Sequence, residues 1–327
     1  MTQMKAVQVR EFGEPEVLEY GDAERPEPSM GEVLVEVKSI GVNYADTMRR
    51  RNQYVIRQEL PFVPGSEVAG VVAELGEGAE GVSVGDRVVS LVGEGAYAEY
   101  ALAPSQALIP IPDGLDFDAA AAIPLQGLTA YHVLKTSGRL EEGESVLVHA
   151  AAGGVGTLAV QMAKLMGASP VIATASSQEK LDLARELGAD VLINYTEDDW
   201  PDQVRQATDG AGADVILEMV GGDFIGKNLR CLNAWGRMVV FGAASGDRGT
   251  VSPMDLLRKN HSIVGFFLPQ VMSRPELFVP SLQEMLGWIS SGDVKLTLGG
   301  SYPLREAEQA HGDLEGRKTT GKIVLNP

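Results

Sequence analysis

Residues 149–167 read HAAAGGVGTLAVQMAKLMG, and this stretch decides the fold. It follows the apolar run SVLVHA, which predicts a buried strand, and it continues into TLAVQMAKLMG, which has helical periodicity. A glycine-rich turn between a strand and a helix is typical of a dinucleotide-binding unit, because N–H groups at the helix start can face a pyrophosphate. We therefore predict cofactor contacts at Gly153, Gly154, Val155 and Gly156.

The turn departs from the usual G-x-G-x-x-G pattern at its first position, which is Ala151. The second glycine of the pattern, Gly153, permits close approach of the backbone to a pyrophosphate, and the third, Gly156, permits close packing of the helix on the strand. Glycine-rich turns also occur as plain connectors, so the prediction depends on the flanking strand and helix.

The segments around this turn predict an α/β protein. From about residue 123 to residue 265, apolar runs of strand length alternate with amphipathic segments of helical length. This alternation is typical of the doubly wound parallel sheet of a Rossmann domain. The predicted strands after SVLVHA are PVIATA, VLINY, DVILEMV, RMVVFG and SIVGFFL.

Residues 1–122 predict a smaller, β-rich domain, because short alternating stretches are punctuated there by glycine and proline. The tail, residues 266–327, is too short to form a domain, and we expect it to complete the first one. Strands are predicted at Lys5–Arg10, Glu32–Ile40, Glu67–Glu74, Asp86–Val92, Tyr97–Ala101 and the terminal GKIVLN, and tail helices at Leu277–Ser290 and Leu304–Leu314.

Composition limits the class of protein. The chain has 327 residues, which favours two domains, and a net charge of -18, which disfavours binding to nucleic acid or to anionic membranes. The one cysteine, Cys231, and four scattered histidines form no metal-ligand pattern. Because no apolar run approaches the length of a membrane span, and the first residues lack the apolar core of a signal peptide, we expect a cytoplasmic protein.

The second strand of the parallel sheet predicts the choice of cofactor. NAD-binding folds place an acidic residue at the end of this strand, where it accepts hydrogen bonds from the ribose 2′-hydroxyl. Here the strand ends at Ala175, and Ser176, Lys180 and Tyr195 offer donors suited to the 2′-phosphate of NADPH. The alternative is that Lys180 is a solvated helix residue and Tyr195 a half-buried strand residue.

The chain resembles the medium-chain dehydrogenases and reductases, specifically their zinc-independent quinone oxidoreductase branch, related to ζ-crystallin. The resemblance covers essentially the whole chain and implies a GroES-like catalytic domain followed by a Rossmann domain. It is carried by GVNYADTMRRRNQY (41–54), FVPGSEVAGVV (62–72), VGDRV (84–88), GAYAEY (95–100), AAIPLQGLTAYHVL (121–134), VLVHAAAGGVG (146–156), LGADVLINY (187–195) and KTTGKIVL (318–325).

The resemblance implies that catalytic zinc is absent. Zinc-dependent alcohol dehydrogenases of the superfamily bind the metal through a cysteine and a His–Glu pair. Asn43 stands at the cysteine position and Ser66 at the histidine position, which leaves only Glu67. Because an amide and a hydroxyl are poor zinc ligands, we expect hydride transfer to an electron-poor carbon rather than alcohol oxidation.

The same resemblance implies the site residues. The predicted catalytic residues are Asn43, near the nicotinamide ribose and the substrate, and Tyr54, which either donates a hydrogen bond to the substrate or only lines the pocket. Further cofactor contacts are predicted at Thr129 on the nicotinamide side, at the carboxyl ends of the last strands and in the tail. These are Phe241, Gly242, Gly265, Phe266, Phe267, Arg317 and Lys322.

Three functions remain open on the sequence. The first is an NADPH:quinone oxidoreductase, and the second is a reductase of alkenals, enones or enoyl thioesters, which uses the same hydride donor. The third is a non-catalytic NADPH-binding protein. Family kinship and the exposed edge of the predicted sheet also predict a homodimer.

Overall fold

The computed structural model describes residues 2–327, which form two compact units. The first unit comprises the chain up to Leu125 together with Leu298–Pro327, and the second comprises Gln126–Thr297. Residues 2–327 contain no helix that is long and apolar enough to cross a membrane.

The strands occupy both units. They are β1 (Gln3–Val9), β2 (Leu18–Glu24), β3 (Glu32–Val42), β4 (Glu67–Leu75), β5 (Arg87–Leu91), β6 (Tyr100–Pro104), β7 (Leu108–Pro110), β8 (Val146–Val148), β9 (Val171–Ala175), β10 (Val191–Asn194), β11 (Ala213–Glu218), β12 (Leu232–Val240), β13 (Ser262–Gly265), β14 (Leu298–Pro303) and β15 (Lys322–Asn326).

Helices also occur in both units, and the longest, α10, belongs to the second. They are α1 (Tyr44–Arg50), α2 (Phe117–Ala120), α3 (Pro124–His132), α4 (Gly154–Leu165), α5 (Gln178–Glu186), α6 (Trp200–Ala207), α7 (Asp223–Cys231), α8 (Pro253–Leu257), α9 (Leu268–Met272), α10 (Pro275–Ser291) and α11 (Ala307–Glu315).

A mixed sheet forms the first unit. Its strand order is β14-β15-β3-β4-β5-β7, with β6 also paired to β3, and every pair is antiparallel except β14–β15. The inward residues of β3, β4 and β15 share one apolar core, and α11 adds Ala307 and Ala310 to it. A separate antiparallel pair, β1–β2, joins the unit through a bridge from Val9 to Phe62.

The second unit confirms the predicted parallel sheet. Its order is β10-β9-β8-β11-β12-β13, and all neighbouring strands are parallel. Because β10 lies beside β9, the Tyr195 N–H donates to the Ala175 carbonyl at 3.2 Å. The carboxyl ends of these two strands are therefore adjacent, as the sequence predicts.

The chain returns to the first unit later than predicted. Residues 266–297 belong to the second unit, because α10 packs there and bonds to α3. The Tyr131 hydroxyl donates to Glu284 at 2.6 Å, and His132 Nε2 lies 2.9 Å from the Ser281 hydroxyl. A domain boundary drawn at residue 266 is thus wrong for the α9–α10 segment, whereas the terminal strand and α11 do lie in the first unit.

Candidate active site

The predicted phosphate turn has the geometry that its glycines require. Helix α4 begins at Gly154, and Gly153 is its N-cap in an extended conformation. A Cβ on Gly156 would lie 2.3 Å from the Ala150 carbonyl oxygen, and one on Gly154 would lie 2.0 Å from the Gln126 amide oxygen. Close approach between turn and helix therefore requires glycine at position 156, where the neighbours are backbone atoms, whereas the neighbour of Gly154 is the far end of a side chain. Ala151 in the same turn donates its N–H to Thr174 O at 3.0 Å.

The three predicted phosphate donors occupy one end of the parallel sheet. Ser176 directly follows β9, Tyr195 directly follows β10, and Lys180 lies in the first turn of α5. All three are half-buried, whereas Ala175 is buried. The structure brings Ser176 and Tyr195 to neighbouring strand ends, with no carboxylate at Ala175. The Tyr195 ring also packs edge-on against Phe224, with 5.6 Å between ring centroids, so it has a packing role as well.

The residues predicted to face the nicotinamide lie at the other end of the strand order. Phe241 and Gly242 follow β12, and the Phe241 N–H donates to Glu218 O at 3.0 Å. Gly265 ends β13, and Phe267 is the N-cap of α9. Their positions agree with the rule that ligands bind at the carboxyl ends of parallel strands. Two further predicted contacts are Thr129 and Phe266. Thr129 is buried on α3, and Phe266 directly follows β13, where its N–H donates to Val240 O at 2.9 Å.

A buried polar network under this strand end was missed by the sequence analysis. Glu218, the last residue of β11, is fully buried and accepts N–H bonds from Val220 at 2.5 Å and Gly221 at 2.7 Å. Its other oxygen bonds to the Asn228 amide, which in turn bonds to His149. Burial lowers the pKa of His149, so its ring is neutral at pH 7. The network fixes the turn that follows β11.

Asn43 is held rigidly in the first unit. It is the N-cap of α1, and its backbone N–H donates to Asp46 Oδ2 at 2.9 Å. Its side-chain amide donates to Gly41 O at 3.2 Å and to Glu67 Oε2 at 3.3 Å. Its Oδ1 accepts a hydrogen bond from Lys322 Nζ at 2.9 Å.

Glu67 and Lys322 form a buried ion pair beside Asn43. Their side chains are 0 and 1 % exposed, and Nζ lies 2.8 Å from Oε2. The second carboxylate oxygen, Oε1, accepts the Leu125 N–H at 3.0 Å. Lys322, predicted as a cofactor contact, therefore has its ammonium on Asn43 and Glu67, while Arg317 is exposed in the turn after α11. Within residues 2–327, no group of three or more His, Cys, Asp or Glu side chains could hold a metal.

A second buried chain of hydrogen bonds reaches Asp46 from the surface of the unit. Arg50 bonds to Glu315 and donates from Nη1 to His311 Nδ1 at 2.9 Å. Because arginine only donates, His311 Nδ1 is an acceptor, and Nε2 carries the proton that faces the Tyr97 oxygen at 2.8 Å. The Tyr97 hydroxyl then points to Asp46 Oδ2 at 3.4 Å.

Burial perturbs the titratable groups of this chain. It raises the pKa of Asp46 to about 6. It lowers the pKa of His311 to about 3, with help from the neighbouring Arg50 and Arg51, so the ring is neutral. The sequence analysis did not single out these residues, whose partners are far apart in the chain. Tyr97, the first tyrosine of GAYAEY, and His311, which precedes the terminal strand, are the sequence signals that could have indicated this chain.

Tyr54 lies on the segment that follows α1. Its ring is half-buried beneath the Arg49 guanidinium, whose central carbon is 5.0 Å from the ring centroid. Burial raises the pKa of Tyr54, and this effect exceeds the opposing effect of Arg49. The phenol is therefore protonated at neutral pH and can donate a hydrogen bond.

Two family models match the chain. The model for the alcohol dehydrogenase GroES-like domain covers residues 29–113, and that for the zinc-binding dehydrogenase covers residues 154–289. A quinone oxidoreductase of Pseudomonas aeruginosa is 38% identical, over 99% of each chain. The chain belongs to the quinone oxidoreductase branch of the medium-chain dehydrogenases and reductases.

Solved structures of this branch share the fold over nearly the whole chain. A mycobacterial protein solved in complex with NADPH is 40% identical, with a TM-score of 0.94 over 99% of this chain and 100% of that one. The quinone oxidoreductase of Escherichia coli, also solved with NADPH, is 34% identical, again with a TM-score of 0.94 and the same coverage. The predicted fold class and family are thus confirmed, and the chain is an oxidoreductase.

Proposed function

We propose that this oxidoreductase uses NADPH to reduce a quinone and that it does so without zinc. The observation that carries the proposal is the end of β9, where Ala175 takes the place of an acidic residue and Ser176, Lys180 and Tyr195 supply donors. Two structural relatives solved with NADPH, and relatives named quinone oxidoreductases, support it.

The residues of the second unit fit a dinucleotide phosphate. A pyrophosphate would fit at Gly153, the N-cap of α4, because this residue carries no side chain and the first N–H groups of a helix can face a phosphate. Lys180 would pair with the 2′-phosphate, and the hydroxyls of Ser176 and Tyr195 would donate to its oxygens. The missing acid at Ala175 removes the charge that would repel this phosphate.

The proposal of zinc-independent chemistry rests on the donors in the first unit. Asn43 and Ser66 offer an amide and a hydroxyl where the zinc-dependent relatives have cysteine and histidine. The remaining carboxylate, Glu67, is already neutralised by the ammonium of Lys322 at 2.8 Å. A divalent cation at this point would have to displace that ammonium, against its charge.

NADPH, when bound, supplies the hydride. The task left to the chain is to orient the reaction partners and to stabilise charge that develops on the acceptor oxygen. Tyr54, protonated at neutral pH, is suited to donate a hydrogen bond to that oxygen. Asn43, fixed by Lys322 and Glu67, is suited to hold the cofactor or acceptor in one orientation.

The second candidate is an alkenal, enone or enoyl-thioester reductase. The Tyr54 phenol favours it equally, because the enolate that forms on such an acceptor also accepts a hydrogen bond or a proton. The third function is NADPH binding without catalysis, and it gives no catalytic role to the Tyr54 phenol.

One assay separates these functions. NADPH oxidation is followed at 340 nm with 1,4-benzoquinone, a short alkenal and a crotonyl thioester, before and after prolonged dialysis against EDTA. We expect turnover with the quinone, weaker turnover with the other acceptors and no loss after dialysis. Preference for the alkenal or thioester would support the second candidate, and no oxidation with any acceptor would support the third. Loss of activity after dialysis that zinc restores would overturn the zinc-independent mechanism.

A further inference from the structure

The loop that follows Tyr54 turns its apolar side chains outward. Val55, Ile56 and Leu60 are 76, 47 and 39 % exposed, whereas the polar Gln58 is half-buried. Single exposed apolar side chains are common on protein surfaces. In the described part of the chain, however, Val55 and Ile56 are the only two large apolar residues that are adjacent in sequence and both exposed. We call Val55, Ile56 and Leu60 the apolar rim, and exposed apolar groups that lie together are typical of a binding surface.

The loop is held at its two ends. At its start, the Gln53 N–H donates to Met48 O at 2.8 Å. At its end, the buried Phe62 exchanges two backbone hydrogen bonds with Val9, of 2.8 and 3.1 Å. Between these anchors, residues 55–61 make no backbone-to-backbone hydrogen bond to the rest of the described chain. The apolar rim therefore belongs to a loop with fixed ends and not to a helix or a strand.

Tyr54 connects the apolar rim to the acceptor in the proposed reaction. Its ring lies beneath the Arg49 guanidinium, which in turn donates from Nη1 to Gly93 O at 2.7 Å. Because consecutive Cα atoms are about 3.8 Å apart, the Cα atoms of Val55 and Ile56 lie within about 8 Å of the Tyr54 Cα. An acceptor whose oxygen binds the Tyr54 phenol would thus have the rim within reach of a short substituent on its ring.

The charges of the loop do not favour an ionic substituent. Arg57 and Glu59 are both exposed and have opposite signs, so the loop carries no net charge. The feature that distinguishes this loop is its exposed apolar area, which gains free energy by contact with another apolar group. The chemistry that this loop would recognise is therefore a hydrocarbon chain.

We propose that the apolar rim binds an alkyl substituent of the acceptor and makes the enzyme selective for quinones that carry a hydrocarbon chain. The inference rests on the proposed function and names the substrate class of the same site. Full burial of one methylene group raises affinity by about fourfold. A chain that is covered by the rim on one side only should gain roughly 1.5- to 2-fold for each methylene, and this gain appears in kcat/KM.

The experiment compares acceptors that differ only in the length of the chain. NADPH oxidation is followed with 2-methyl-, 2-butyl- and 2-hexyl-1,4-benzoquinone, whose rings carry the same type of substituent. We expect kcat/KM of the wild type to rise by about tenfold or more from the methyl to the hexyl compound. The methyl compound, which has almost no chain to bury, serves as the reference, so the ratio of the two values is independent of a general loss of activity.

Variants of the rim test whether this rise comes from Val55 and Ile56. In Val55→Ser/Ile56→Ser we expect the hexyl-to-methyl ratio to fall to about threefold or less, because the hydroxyls are solvated and cover the chain poorly. Val55→Leu/Ile56→Leu keeps an apolar rim and should retain the ratio of the wild type. The matched control is Val84→Ser, at a valine elsewhere in the first unit that is 61 % exposed, and it should not change the ratio.

The other outcomes separate this inference from the proposed function. A wild-type ratio near one, or a serine variant that keeps the full ratio, would overturn the selectivity while turnover of the methyl compound still supports quinone reduction. A serine variant that keeps the ratio but shows a lower mass by light scattering would identify the rim as a contact between copies of the chain, which also overturns the inference. If quinones are not reduced, but-2-enal and non-2-enal give the corresponding ratio, and a chain that reduces neither series overturns the proposed function and the selectivity together.

Discussion

The carboxylate of Asp46 is buried among positively and negatively charged side chains. Burial raises its pKa to about 6, the Asn43 N–H and the charges of Arg49 and Lys322 oppose that rise, and Glu67 adds to it. A folded-state pKa above the unfolded value of 3.8 means that the protonated form is favoured in the fold. The stability that this provides is fully present below about pH 4 and is lost as the pH rises through about 6.

We therefore expect Asp46→Asn to destabilise the protein less as the pH rises. The free energy of unfolding of the wild type, relative to the variant, should fall by about 2 kcal/mol between pH 4 and pH 7. Urea denaturation at both pH values measures it, with Asp113→Asn, an exposed carboxylate in a turn, as the control. A difference that is constant or grows with pH would contradict the assigned cause.

Tyr54 gives the second prediction at this scale. If its phenol donates a hydrogen bond to the acceptor oxygen in the transition state, Tyr54→Phe should lower kcat and kcat/KM together by about tenfold. If the ring only lines the pocket, KM should rise while kcat is held. Steady-state kinetics with one quinone decide between the two, and Tyr20→Phe, at an exposed tyrosine of β2, controls for loss of a phenol elsewhere.

The sequence identifies single residues better than it identifies their partners. Asn43, Tyr54 and Glu67 stand in motifs that the sequence analysis quoted, so they could be named. The bond from Lys322 to Asn43 spans 279 positions and that from Arg50 to His311 spans 261, and no local periodicity encodes such pairs. These long-range pairs therefore had to come from the structure.

At the scale of elements, the turn into α4 is the feature that the sequence predicts best. A strand, a glycine-rich turn and an amphipathic helix are local signals, and the observed helix begins at Gly154, three residues before the predicted run. β6 begins at Tyr100 instead of Tyr97. The Tyr97 carbonyl accepts a hydrogen bond from the Val7 N–H of β1, so Tyr97 does not pair with β3 in the larger sheet. The strands β2, β7 and β14 were missed.

Gly156 supplies the prediction at this scale. Gly156→Ala should destabilise the protein by about 1–3 kcal/mol, because its Cβ would lie 2.3 Å from Ala150 O and 2.7 Å from Ala151 Cα. The matched control is Gly226→Ala in α7, where a Cβ meets nothing within 4 Å, and where alanine should raise stability by up to about 1 kcal/mol. Chemical denaturation compares the two. Equal effects would show that the Gly156 backbone moves aside.

At the scale of the whole molecule, the two-domain α/β organisation was predictable, but the path of the tail was not. Alternation of strands and helices is visible along the sequence, whereas the docking of α10 on α3 depends on contacts about 150 residues apart, such as His132–Ser281. The short connections on either side of α10 do not indicate in the sequence which of the two units this helix joins.

The sheet of the second unit ends in an edge strand that predicts assembly. β13 pairs only with β12 among residues 2–327, and its Ile263 and Val264 are incompletely buried. An apolar unpaired edge favours pairing with a second copy. We propose a homodimer formed through β13, so light scattering at micromolar concentration should give twice the chain mass of 34.8 kDa, and Val264→Lys should yield monomers. A wild-type monomer would contradict this.

The choice of NADPH is the central claim for the whole molecule, and one measurement tests it directly. The ratio of kcat/KM for NADPH to that for NADH, with a single quinone, should be about ten or more in the wild type, since each charge-assisted hydrogen bond to the 2′-phosphate contributes about 1.5–3 kcal/mol. Lys180→Ala should lower the NADPH value and leave the NADH value nearly unchanged, whereas Arg185→Ala, at the far end of α5, should alter neither. Equal use of both cofactors by the wild type, or equal losses for both in Lys180→Ala, would contradict the choice of NADPH.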